Sequence, residues 1–328
     1  MKAPFVLVGD LLIDITAVTS GPINYASDTR AQISVRPGGA GANTASWLAH
    51  LGESVHLIGA LGTDVFATMF RHSFAYTGVH LHATEVTGAP TGTCIIIVDS
   101  TGERTMLPDP GANSFLAPSQ ISDSLFCAGA HLHLSGYTLL NPATRAVGQI
   151  ALARARAGHL TCSLDAASAA PISANPGAIR EVLGQIDVLL ANADEAAALT
   201  GFTDPAQALA ALAEVVDTVV IKCGPQGALA AQGNQHAQVP ALPAKVVDTT
   251  GAGDAFAAGF LVSWRAGQPL IEAVMAGVRE ATQAIGRVGA GPKALRPARI
   301  GDTSRFFPAG ALCAWAGVRG LARRAEDG

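Results

Sequence analysis

Short β-branched and leucine-rich runs alternate with longer alanine-rich periodic segments, and this alternation limits the available folds more than any other feature of the chain. Runs at Phe5–Gly9, Val55–Gly59, His131–Ser135, Leu160–Asp165, Val188–Ala191 and Thr218–Cys223 read as strands. Helices are expected between them, near Asn43–Leu51, Val65–Thr77, Pro142–Ala157, Ala193–Thr200 and Pro205–Val215. Strands joined by helical crossovers give an α/β fold, a mainly parallel sheet with helices on both faces. Such sheets bind ligands beyond the C-terminal ends of their strands.

Two segments break the crossover pattern. Ile15 to Val35 is too long for a simple loop and ends in the alternating Gln32-Ile33-Ser34-Val35, while Thr93–Val98 and Arg104–Leu107 read as a hairpin around Ser100-Thr101-Gly102-Glu103. Together, at about residues 15–37 and 90–110, they would form a small β-sheet placed to act as a lid; separately they would be two unrelated surface excursions. No tandem repeat or linker divides residues 1–300, which read as one α/β domain carrying this insertion. The tail, 301–328, mixes Phe306, Phe307 and Trp315 with Arg319, Arg323 and Arg324. It fits a docked helix, a partner surface or a partly disordered end equally well.

Composition excludes several function classes. Hydrophobic residues make up 49% and charged residues 14% of the chain, so it can bury a large core. A net charge of −4 leaves no basic excess for a nucleic-acid backbone. The longest stretch free of Asp, Glu, Lys and Arg, Ser124 to Thr144, is interrupted by His131, His133, Asn141 and Pro142, so no membrane span is expected. The apolar run Phe5–Val8 stops at Gly9-Asp10, too soon for a secretion signal, and a cytoplasmic protein is expected. Cys94, Cys127, Cys162, Cys223 and Cys313 are scattered without a Cys-x-x-Cys pair, which indicates neither a disulfide framework nor a zinc site.

The segment from Asp248 to Phe260, Asp-Thr-Thr-Gly-Ala-Gly-Asp-Ala-Phe-Ala-Ala-Gly-Phe, carries the most chemistry. Small residues Gly251, Ala252 and Gly253 leave backbone amides unobstructed at the start of a helix, where they and the helix dipole suit a phosphate and would form an anion hole. Asp254 at the same spot can take a proton from a hydroxyl nucleophile, the base role that phosphoryl transfer requires; it would equally complement the dipole as a first-turn acid. A second cluster runs from Pro37 through Gly38, Gly39 and Gly41 to Asn43 and Thr44. Gly38 and Gly39 permit close approach of a substrate, and Asn43 offers a donor and an acceptor to a polyol. A plain turn and helix cap explains the same residues. Thr44 stands where a dinucleotide fingerprint needs its third glycine, and no P-loop occurs.

Both segments, in this order, resemble the two sequence signatures of the ribokinase (PfkB) family of carbohydrate kinases, from about Phe5 to Gly291. The resemblance implies a ribokinase-like fold, ATP as phosphate donor, magnesium, and in many members potassium. It places Asp254 as catalytic base with the Gly251, Ala252 and Gly253 amides as anion hole, and Asp248 with the Thr250 carbonyl at a monovalent cation. Asn192 and Glu195 resemble the family's Asn-x-x-Glu motif, which organises magnesium and phosphates, often through water. They also fit a helix capping box. Val220 to Gly227 resembles the strand and loop along ATP, with Gly224 and Gly227 near the nucleotide and Lys222 reaching phosphate or lying solvated at a strand end; Thr249 falls on the cofactor side. Asp10 and Asp14, read as the end of the first strand, resemble substrate-binding positions. Asp14 is the better grip for a diol, since a charged acceptor holds two hydroxyls more strongly than a neutral one; turn capping is the alternative for either.

Arg104 in the lid hairpin would close over substrate or remain a solvated hairpin charge. His131 and His133 alternate on one strand and read as structural. Two departures from the family stand out. Glu280 occupies the position where many relatives place an asparagine near the adenine, and Ser163 to Ser168 lacks the Asp-x-Asn-x-Arg pattern of fructokinases and ketodeoxygluconate kinases. The expectation is an ATP-dependent sugar kinase acting on a hydroxymethyl group, with a nucleoside kinase, a noncatalytic sensor and a dehydrogenase as competing readings. The lid's exposed edges would offer a homodimer surface.

Overall fold

The computed structural model describes residues 3–99 and 103–292. The 301–328 tail, Cys313 and the turn residues 100–102 lie outside the described residues.

The chain begins with β1 (Phe5–Val8), then β2 (Leu12–Thr19), β3 (Ala31–Gly38), α1 (Ala40–His50), β4 (Val55–Leu61), α2 (Val65–Phe74) and β5 (Val79–Glu85). A hairpin follows, β6 (Gly92–Val98) and β7 (Arg104–Asp109), then β8 (His131–Ser135), α3 (Gly136–Leu140), α4 (Arg145–Ala157) and β9 (Thr161–Asp165). Next come α5 (Ala169–Ala174), α6 (Gly177–Arg180), β10 (Val188–Asn192), α7 (Ala193–Thr200), α8 (Pro205–Ala213) and β11 (Thr218–Lys222). The hairpin β12 (Ala228–Gln232) and β13 (Gln235–Val239) precedes α9 (Ala252–Arg265) and α10 (Leu270–Ile285).

The strands form a nine-stranded sheet, ordered β13-β12-β11-β10-β9-β8-β1-β4-β5, and a four-stranded sheet, ordered β3-β2-β6-β7. In the large sheet the pairs from β5 to β11 are parallel, and the β12–β13 hairpin adds an antiparallel edge. Strands β1 and β10 are apolar over Phe5–Val8 and Val188–Ala191 because both faces of the sheet are covered, and β8 and β9 bury polar residues there as well. On β1, Phe5 and Leu7 enter the core shared with α1, α9 and α10, while Val6 and Val8 enter the core under α4, α7 and α8. Val188 and Leu190 on β10 divide from Leu189 and Ala191 in the same way.

The expected α/β architecture is present, with informative differences. Strand β5 and the β12–β13 hairpin escape the hydrophobic pattern because β5 alternates with histidines and β12 is rich in alanine. The helix expected from Pro142 starts at Arg145, because the backbone amides of Thr144 and Arg145 both turn back to the Asn141 carbonyl. Asp14 does not end the first strand. It lies on β2, within the four-stranded sheet, because the chain leaves the central sheet at Gly9-Asp10 and starts a new strand at Leu12.

His131 and His133 are buried on β8 and share the Ser163 hydroxyl at 2.7 and 2.8 Å. Burial holds the His133 ring neutral, down to about 4. Cys94, Cys127, Cys162 and Cys223 are free thiols. Among the described residues no helix is long and apolar enough to cross a membrane.

Candidate active site

A cleft of about 1130 Å³ lies between the C-terminal ends of the parallel strands and the inner face of the four-stranded sheet. The predicted residues Asp10, Asp14, Gly39, Asn43, Arg104, Asn192, Glu195, Lys222, Gly224, Gly227, Thr249, Thr250, Gly251, Ala252, Gly253 and Asp254 all line it. Gly38 and Asp248 lie just behind this wall.

Helix α9 begins at Gly251, whose φ of +75° suits glycine, and an added Cβ would sit 2.5 Å from the Ala290 backbone. Of the expected anion-hole donors, the Ala252 amide is already committed to the Thr249 carbonyl at 3.3 Å, while the Gly253 amide has no backbone acceptor among the described residues; the Asp254 amide, outside that expected set, has none either. Gly253 also leaves room for Lys222, since a Cβ there would lie 3.3 Å from Nζ.

Asp254 faces the cleft and meets the second glycine-rich segment. Its carboxylate accepts from the Asn43 side chain, and Thr44 Oγ1 lies 3.5 Å from Oδ1, so α1 and α9 converge on it across 210 positions of sequence. Burial, then the Asp165 charge, raises its pKa to about 8, while the Asn43 hydrogen bond and Lys222 oppose the shift.

The two acceptor-side carboxylates differ. Asp10, at the start of α1, accepts from the Ala40 amide at 3.1 Å, the Gly41 amide at 3.5 Å and the Ser135 hydroxyl at 3.3 Å; burial raises its pKa and these hydrogen bonds oppose the shift. Asp14 accepts no hydrogen bond among the described residues and is held against Gly38, where a Cβ would fall 2.0 Å from Oδ2. Burial, with Asp10 and Asp248 adding repulsion, lifts Asp14 to about 7. Gly39, at φ +96°, packs on the Asp10 carbonyl, where a Cβ would fall 2.5 Å from the oxygen.

On the opposite side, Lys222 is not a solvated strand-end lysine. It is mostly withdrawn from solvent, its side chain 16% exposed, and is paired with Asp165 at 2.8 Å. Burial works against its charge, but Asp165 and Glu195 outweigh it and raise the Lys222 pKa; burial likewise opposes the Asp165 charge, yet Lys222 holds that carboxylate below its usual range. Asp165, seen in the sequence only as part of a departure from the family pattern, thus fixes the orientation of a candidate phosphate ligand. Gly224 and Gly227, both at positive φ, line the cleft just beyond.

Asn192 and Glu195 form a reciprocal capping box on α7. The Asn192 backbone and side-chain amides each donate to Glu195 at 2.7 Å, and the Glu195 amide donates to Asn192 Oδ1 at 2.8 Å. Burial raises Glu195 to about 7. With both carboxylate oxygens engaged, this pair suits contact with magnesium through water, a cation that keeps much of its hydration. Asp248 accepts the Thr250 and Gly289 amides, each at 2.8 Å, one on each oxygen. It is therefore a loop brace in its own right, with the hard oxygen chemistry a monovalent cation would use.

Arg104 is not a free hairpin charge, because its guanidinium donates to Thr249 Oγ1. Glu280 turns away from the cleft and packs against Gly259 and Gln283, while Val278, Ala281, Thr282 and Ile285 of α10 line it. The residue spacing of a helix, about 100° per position, separates Glu280 from that face.

A family model described as pfkB family carbohydrate kinase matches residues 3–296. The chain is similar to the ATP-dependent ribose-1-phosphate kinase of Halopiger xanaduensis, 31% identical over 279 residues, covering 82% of this chain and 86% of the relative. It is also similar to a fructokinase of Klebsiella pneumoniae, 30% identical over 270 residues, covering 80% and 84%. Among solved structures, the adenosine kinase from Sinorhizobium meliloti superposes with a TM-score of 0.81 at 27% identity, covering 90% of this chain and 98% of that one.

Proposed function

The chain belongs to the PfkB family of carbohydrate kinases, and from that premise we propose that it transfers the γ-phosphate of ATP to a hydroxymethyl group of a small, uncharged carbohydrate, with Asp254 as general base. The observation that carries this reading is the position of Asp254: at the amide-bearing start of α9, with Thr44 Oγ1 of α1 3.5 Å from its carboxylate, in one cleft with Asp14 and Asn43. A carboxylate that titrates near neutrality is matched to accepting a hydroxyl proton.

In this reading Asp14 and Asn43 orient the acceptor, with Asp10, Gly38 and Gly39 shaping its site. Asp10, Asp14 and Asp254 crowd the acceptor end, and the charge of a sugar acid or sugar phosphate there would make it still harder to ionise Asp254, which must lose its proton to act as the base. Lys222, Arg104, Thr249 and the backbone at Gly224 and Gly227 attend the nucleotide phosphates. The uncommitted Gly253 amide at the start of α9 faces the transferred group. Bound magnesium would neutralise phosphate charge, held through water by Asn192 and Glu195; a potassium ion would be held by Asp248 and the Thr250 carbonyl. The four-stranded sheet acts as a lid that excludes water, a competing nucleophile.

A nucleoside kinase is the second reading. Leu12, Cys94, Ile96 and Met106 give the lid an apolar inner face that would suit a base beside the ribose. On the other face of the sheet, Ile95 and Leu107 pair across β6 and β7 and are exposed, while Ile15 and Val35 in the same row pack against the core; the exposed pair is the part of the lid open to a homodimer contact.

The test is an ATP-consumption screen across pentoses, hexoses, sugar acids, sugar phosphates and nucleosides, with KCl or choline chloride. Turnover with a neutral sugar or nucleoside that Asp254→Asn abolishes supports the proposal. Unchanged turnover in that variant removes Asp254 as the base, and no ATP-dependent transfer to any acceptor leaves the noncatalytic sensor.

A further inference from the structure

Arg36 lies on β3, directly across from Asp14 on the same rung of the small sheet. Its guanidinium spans 252 positions of sequence, and Nη1 donates to the Val288 carbonyl at 2.8 Å. Its Nε is buried without a hydrogen-bond partner, so the side chain has given up water to make this contact. The receiving turn is shaped for it: Gly289 has φ +94°, and a Cβ there would lie 2.5 Å from Nη1.

That turn also reaches the anion hole. The Gly289 amide donates to Asp248, whose other oxygen accepts the Thr250 amide. The Ala290 backbone packs beneath Gly251, and the Ala290 carbonyl accepts from Trp47 Nε1 at 2.8 Å. Three successive residues therefore tie the small sheet, the 248–251 loop and α1 together. At the other edge of the sheet, Arg104 on β7 donates to Thr249 in that same loop.

We infer that Arg36 is a positioning residue whose bond to the Val288 carbonyl couples the seating of the lid to the geometry of the 248–251 loop. A charge-assisted bond to a carbonyl is strong enough to hold a turn but breaks when the sheet lifts. The rung that carries Asp14 thereby sets the backbone that faces the transferred phosphate. The coupling stands on the hydrogen bonds alone; its catalytic consequence rests on the kinase reading.

Amide hydrogen exchange on the full chain tests the coupling, with steady-state kinetics on the acceptor found by the screen. Arg36→Ala should speed exchange about tenfold in peptides covering 247–254 and 285–290, leaving α4 and β9 protected. It should lower kcat by about 10- to 100-fold while the acceptor KM stays within about threefold, because Asp14 and Asn43 are intact. Arg36→Lys, which keeps a cationic donor, should restore most of both. Unchanged exchange at 247–254 overturns the coupling whether or not any acceptor is turned over. Loss of protection throughout the molecule also overturns it, since Arg36 would then merely hold the fold. Raised local exchange with kcat within about twofold of the parent overturns the catalytic consequence alone. If the parent protein phosphorylates nothing, the kinase reading fails and exchange decides the coupling.

Discussion

Strands β6 and β10 are both rich in aliphatic residues, yet they do different work. Val188 to Ala191 of β10 are all fully buried, whereas Ile96 of β6 is buried and its neighbour Ile95 is 44% exposed. The large sheet is covered on both faces and holds two extensive cores; the small sheet contributes a cluster of Leu12, Cys94 and Ile96 beside the cleft. The contrast separates a frame, which places Asp254, Asn43, Asp165 and Lys222, from a cover, which carries Asp14, Arg36 and Arg104. Few buried contacts hold the cover down, so a handful of polar bonds to the frame can govern its position.

The largest effect should come from the frame's candidate base. Asp254→Asn is expected to cut kcat by about 10³-fold with acceptor affinity changed less than about threefold, measured by single-turnover kinetics and calorimetry. A loss of binding in proportion to rate would instead make Asp254 an acceptor ligand. Leu190→Ala should cost about 3 kcal/mol of stability in denaturant titration, since the β10 core cannot collapse around the void. A much smaller loss would show the frame to be as plastic as the cover.

The same Asp254→Asn protein carries a pH signature. A folded pKa near 8, against 3.8 for the free side chain, means the native state holds its proton more tightly than the unfolded chain. The stability this contributes is fully present below about pH 4 and is lost as pH rises through about 8. The variant, which has no charge to bury, should therefore exceed the parent by on the order of 5 kcal/mol at pH 9 and match it near pH 4, in ligand-free protein. Equal stability at both pH values would mean that Asp254 is well solvated. On the cover, Asp14→Asn should raise acceptor KM about tenfold with kcat little changed, the split expected when a binding contact is lost. A fall in kcat alone would move Asp14 into the chemistry. Smallest of all, Leu107→Ala, on the exposed face of β7, should shift stability by no more than about 0.5 kcal/mol in the monomer. A larger shift that grows with protein concentration would reveal the lid as a dimer interface.

What the sequence determined by itself is what short-range physics controls. Apolar runs became buried strands, Gly251 took the positive φ its position requires, and Asn192 and Glu195 closed the capping box that a spacing of three residues permits. The two glycine-rich segments were legible in the sequence because the backbone freedom of glycine is a local property. The tertiary structure alone decided whatever depends on a distant partner: Asp165 holding Lys222 across 57 positions, Arg36 reaching Val288 across 252, and Asp14 leaving the central sheet for the small one. It also turned Glu280 away from the cleft. The raised pKa of Asp254 belongs to this second group, for it follows from desolvation and from charges brought near by the fold, neither of which a linear chain possesses.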